Sequence, residues 1–145
     1  MCNIKISDVD LLNGTITGGV KTDAGKNRIV PIHSRIAHFV EEKYTEAVSN
    51  GSQYLFNYTD SKQNYRPFVY KGYRRQLDNL LEKYNLNPAH RPHDPRKHFV
   101  TMAKHYNVDE YAIKYIVGHA ITDITERIYT KRELIWLKTE IEKII

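Results

Sequence analysis

His93-Asp94-Pro95-Arg96-Lys97-His98-Phe99, followed by Val117-Gly118-His119-Ala120 and then by Tyr129, is the stretch on which the reading of this chain turns. A guanidinium such as that of Arg96 is a planar, permanently charged fork that fits two oxygens of a phosphate. A tyrosine becomes a covalent nucleophile when its hydroxyl is held against an electrophile and nearby cations stabilise the charge that develops. His93 and Arg96 stand three apart at the start of a helix predicted to run to about Tyr106, so they share a face close to free N–H groups that also favour an anion. Pro95 is tolerated there because the N–H groups of a first turn have no intrahelical partner to lose. The set points to phosphate chemistry.

A further element lies upstream, in Gly19-Val20-Lys21-Thr22-Asp23-Ala24-Gly25-Lys26-Asn27-Arg28-Ile29-Val30-Pro31-Ile32. Alternation around Thr15 to Val20, turn residues at Thr22 to Gly25 and a returning run from Asn27 to Ile32 predict a β-hairpin with Lys21 at its tip. Together with the His-x-x-Arg box, the Gly-His box and Glu126-Arg127-Ile128-Tyr129-Thr130-Lys131, this hairpin resembles the catalytic domain of tyrosine recombinases, the phage integrase family. The boxes stand in the family's order and cover nearly the whole chain. Each alone is a weak signal.

The resemblance implies an α+β, mainly helical domain with a small β-hairpin or sheet. It implies site-specific recombination of double-stranded DNA through a 3′-phosphotyrosyl intermediate, with no cofactor, no metal and no ATP. Tyr129 would be the nucleophile and Arg96 would stabilise the phosphorane. His119 would donate to a non-bridging oxygen, His93 would accept from or orient the tyrosine, and Lys21 would protonate the leaving 5′-oxygen. The partners implied are DNA and further protomers of the same enzyme, and a mobile element is one setting for such an activity. A type IB topoisomerase, a non-catalytic DNA-binding descendant and a protein-interaction module stay open as alternatives.

This chain departs from the family pattern in three places. The family carries a first catalytic arginine on a helix upstream of the hairpin lysine, and such a position falls before Met1. Arg28 matches the family's hairpin arginine and does not replace it. Pro95 and Val117 stand where leucine is usual. The expectation is one catalytic domain over residues 1–145, lacking the N-terminal DNA-binding region and that arginine, and inactive in isolation.

Composition sets outer limits. A chain of 145 residues has room for one domain with a modest core. Its 22 Lys and Arg against 17 Asp and Glu leave a net charge of +5, which suits a polyanionic partner. One cysteine, Cys2, excludes an internal disulfide and leaves no cysteine cluster for zinc. No run has the length of a membrane span or the pattern of a signal peptide, so a cytoplasmic protein is expected.

The remaining elements follow from periodicity. Asp10 to Gly14 reads as a turn leading into the hairpin. Ile36, Phe39, Val40, Tyr44 and Ala47 predict a helix from Ser34 to Val48 with Ser34 as N-cap, stopped by Asn50-Gly51-Ser52. Gln53 to Pro67 has little periodicity and reads as a loop. Val69 to Tyr84 is a predicted helix with Tyr73, Leu77, Leu80, Leu81 and Tyr84 on one side; Arg74 and Arg75, elsewhere on it, are candidates for DNA phosphate contacts. Asn107 with Glu110 reads as a capping box for the next helix, which Gly118 ends. Thr122 or Asp123 would cap the short helix presenting Tyr129. Leu134, Leu137, Ile141 and Ile144 form a final apolar stripe with Trp136 beside it, packing on its own domain or on a neighbouring protomer.

Overall fold

The computed structural model describes residues 3–19, 26–121 and 134–145. The hairpin turn with Lys21, the predicted cap at Thr122 or Asp123, and Tyr129 lie outside the described residues.

An antiparallel sheet of three strands, β1 (Val9–Asp10), β2 (Thr15–Gly18) and β3 (Arg28–Pro31), opens the fold. The expected hairpin is β2 with β3, in a register that pairs Thr15 with Pro31 and Gly18 with Arg28. The turn after Asp10 folds the preceding strand back on β2, pairing Val9 with Ile16. Asp10 holds that turn by accepting from the Asn13 backbone N–H at 2.8 Å, and Gly14 takes a φ of 56° that a side chain would strain.

Helix α1 (Ser34–Ser49) follows. Its N-cap is His33 rather than Ser34: the His33 Nδ1 accepts from the Arg35 N–H at 3.0 Å. With Nδ1 an acceptor, the ring proton sits on Nε2, which donates to the Ile144 carbonyl at 2.8 Å. Ser34 has another task. Its N–H and hydroxyl donate to the two carboxylate oxygens of Glu142 at 2.7 and 2.6 Å, and the hydroxyl bond holds that carboxyl below its usual range. Sequence periodicity marked a helix face correctly but overstated its burial: Val40 and Ala47 are buried, whereas Ile36 and Phe39 are exposed.

The expected loop over residues 53–67 contains a second hairpin, β4 (Asn57–Thr59) and β5 (Tyr65–Pro67). Asp60 builds its turn, accepting from the N–H groups of Lys62 and Asn64, both at 2.9 Å. Most of the side chains on these short strands are exposed, so no buried face imposed an apolar alternation for the sequence to display. Helix α2 (Tyr70–Lys83) buries Leu81 but leaves Leu80 and Tyr84 in solvent.

The core lies in the C-terminal half. Helix α3 (Asp94–His105) ends with Asn107 at φ 54°, where the Val108 N–H bonds back to the Ala103 carbonyl at 2.9 Å. That left-handed closure occupies Asn107, so it does not begin the next helix. Asp109 caps α4 (Glu110–Val117), accepting from the Tyr111 and Ala112 N–H groups. Ala103, Val108, Ala112 and Ile113 pack with Leu137 of helix α5 (Leu134–Ile141), with Phe99, Val100 and Trp136 around them. Within this chain α5 therefore docks on its own domain. Its Glu140 carboxylate is buried but satisfied, accepting from the Asp109 N–H and from Lys143 Nζ, both at 2.7 Å. No described helix is long and apolar enough to cross a membrane.

Leu137 is 4% exposed at the centre of this cluster. Leu137→Ala should cost about 2–5 kcal/mol in urea unfolding; a loss below about 0.5 kcal/mol would show that α5 does not pack there in solution.

Candidate active site

The C-terminus of α4 organises the site. The last four carbonyls of an α-helix lack partners inside it. Here Gly118 adopts φ 71°, the left-handed conformation that costs glycine nothing. That turn brings the His119 N–H to the Lys114 carbonyl at 2.9 Å and the Gly118 N–H to the Tyr115 carbonyl at 3.0 Å. Ile116 and Val117 remain. The Ile116 carbonyl accepts from Arg28 Nε at 3.1 Å, and the Val117 carbonyl accepts from Arg96 Nη2. The helix end is satisfied by two backbone N–H groups and two guanidinium groups.

This arrangement brings the His-x-x-Arg and Gly-His boxes into contact. Arg96 sits in the first turn of α3, with its N–H on the His93 carbonyl at 3.2 Å. His93 occupies the N-cap position of α3, yet its exposed side chain makes no capping bond, which leaves the imidazole to solvent. Pro95 falls within the first turn as expected, and Asp94 buttresses the approach by accepting from the Arg91 N–H at 2.8 Å and from Lys97 Nζ at 3.2 Å. His119 is exposed immediately beyond the turn.

Arg28 is the residue whose place sequence reasoning missed. Half-buried, it has its guanidinium pushed down from the ordinary arginine value, first by burial and then by the neighbouring charge of Arg96. Two cations thus stand together at the negative end of a helix dipole, which offsets part of their repulsion. Along β3 the apolar Ile29 is exposed while Arg28 and Val30 are more covered, so the charged residue lies on the inward face, against what its residue type suggests. The Ile29 N–H also donates to the Tyr115 hydroxyl at 3.3 Å, a second tie between β3 and α4.

The two basic residues proposed for DNA contacts behave differently. Arg74 donates through Nε to both oxygens of Asp78 at 3.0 and 3.1 Å, while Arg75 is exposed. Among the described residues, no group of three or more His, Cys, Asp or Glu side chains gathers where a metal could be held.

This chain belongs to the phage integrase family, which it matches over residues 1–134. It is similar to the tyrosine recombinase XerA of Thermococcus kodakarensis, with 33% identity over 99% of this chain and 49% of the relative. It is also similar to the tyrosine recombinase XerC of Halalkalibacterium halodurans, with 30% identity over 89% of this chain and 43% of that protein. The XerD recombinase of Neisseria meningitidis aligns at 30% identity over 93% of this chain and 45% of its own length. The chain therefore spans about half the length of the curated relatives it matches.

Gly118 tests the geometry of the helix end. Gly118→Ala should destabilise the fold by about 1–2 kcal/mol through the left-handed backbone alone. Denaturant midpoints equal to wild type would mean that the turn before His119 is not left-handed.

Proposed function

We propose that this chain is the catalytic part of a tyrosine-type site-specific recombinase acting on double-stranded DNA. The observation that carries the reading is the bond from Arg96 to the Val117 carbonyl, which joins the two boxes of the C-terminal half around one helix end. Family membership supports the same reading.

In the proposed reaction the Tyr129 hydroxyl attacks a backbone phosphate, the P–O5′ bond breaks, and a 3′-phosphotyrosyl link forms with release of a 5′-hydroxyl. His93 accepts the tyrosine proton or orients the tyrosine, and Lys21 gives a proton to the leaving oxygen. Arg96 neutralises the equatorial oxygens and His119 donates to one of them. A 5′-hydroxyl from a partner strand on another protomer reverses the step. One phosphodiester replaces another, so the exchange needs no external energy.

Charge on the five-coordinate phosphate calls for more than one guanidinium, and we assign the second to a further part of the protein, together with the clamp that grips DNA. The shared half-length with the relatives supports that division. Arg74 and Arg75 are proposed phosphate contacts; of the two, Arg75 is the stronger, because Arg74 is engaged by Asp78.

In the full-length protein, a nicked substrate that traps the cleaved strand should give a covalent protein–DNA band. Tyr129→Phe should abolish the band while leaving DNA binding within about twofold, and EDTA should not affect it. A full-strength band from the Phe variant would overturn the nucleophile assignment, and loss of the band on chelation would point to metal-assisted chemistry.

The 145-residue chain alone should fold yet cleave at least about a hundredfold more slowly than the full-length protein, the usual cost of removing a charge-stabilising donor from such a site. Comparing single-turnover rates on the same substrate decides this. Equal rates would show that the second arginine is dispensable.

A further inference from the structure

Arg28 carries an inference that deepens the proposed reaction and rests on that reading. We propose that Arg28 is a positioning residue: by holding the Ile116 carbonyl it directs Arg96 to Val117 and sets where His119 leaves the α4 turn.

After the left-handed turn has used the carbonyls of Lys114 and Tyr115, the Ile116 and Val117 carbonyls remain for side chains. Arg28 reaches Ile116 from β3 and Arg96 reaches Val117 from α3. Seating a second guanidinium on the Ile116 carbonyl would press two like charges together, so each arginine keeps its own acceptor. With Ile116 occupied, the acceptor left for Arg96 is the carbonyl directly before Gly118 and His119. Displacement of Arg28 would open Ile116 to Arg96, drawing its guanidinium one residue back along α4 and away from His119. Shifts of about 1 Å in a catalytic group commonly cost on the order of a hundredfold in rate.

The bond atom matters. Arg28 donates through Nε, and a glutamine amide nitrogen occupies the same place along the side chain. Arg28→Gln thus keeps the donor and removes the charge, whereas Arg28→Met keeps the length and removes the donor. A residue that met the phosphate itself would depend on charge, while a positioning residue depends on the bond.

Both variants should be made in the full-length protein, with adduct formation measured at saturating DNA and DNA affinity measured separately. The expected result is a Gln variant within about threefold of the wild-type rate and a Met variant slowed tenfold or more, with affinities unchanged within about threefold. A Met variant as fast as wild type, or a Gln variant as slow as Met, overturns the proposal. Should the Met variant melt below the assay temperature, amide exchange at Gly118 and His119 in the Gln variant decides. Wild-type protection with a wild-type rate is expected, and lost protection with an unchanged rate overturns the positioning role. Failure of the wild-type protein itself to form an adduct would overturn the recombinase reading and this inference with it, a result distinct from a defect confined to Arg28.

Discussion

Everything around the site depends on how the C-terminal carbonyls of α4 are satisfied. A buried or half-buried helix end cannot leave its carbonyls unbonded without losing roughly 1–3 kcal/mol for each. Gly118 meets two of them through the backbone, and Arg28 and Arg96 meet the other two. Because those arginines come from β3 and α3, one short helix end fastens the hairpin, the His-x-x-Arg helix and the Gly-His turn together. The helix dipole makes this end a place where two cations stand close at reduced cost.

The opposite end of α4 is fastened as firmly, by carboxylates. Asp109 caps the first turn, and Glu140 of α5 accepts from the Asp109 N–H while Lys143 neutralises it. Negative groups belong at a helix N-terminus for the same reason that guanidinium groups belong at its C-terminus. Glu142 and His33 extend the connection to the start of α1. The apolar core beneath is small, built on Ala103, Val108, Ala112, Ile113 and Leu137, so these polar ties do much of the orienting that a larger core would do by packing.

Such a framework suits phosphoryl transfer, where the protein contributes position and charge more than covalent chemistry. Arg96 is held through one nitrogen on Val117, which leaves the rest of its fork for other acceptors. The exposed imidazoles of His93 and His119 flank it in sequence and stand at the two helix ends that meet there.

By itself the sequence determined the family, the β2–β3 hairpin, the positions of the described helices to within a few residues, and the glycine that ends α4. Each is a local matter of period, turn chemistry or spacing. Burial was less legible, because periodicity says which way a side chain points and not whether anything lies there, as Ile36 and Phe39 on α1 illustrate. Caps were misassigned where a neighbouring residue had a competing role: Ser34 was taken by Glu142, and Asn107 by the end of α3. Only the tertiary structure decided that Arg28 joins Arg96. Their bonds span 88 and 21 residues of chain to carbonyls whose vacancy arises from the turn at Gly118. A backbone carbonyl left open by a distant fold has no residue type of its own, so no pattern of side chains could announce it.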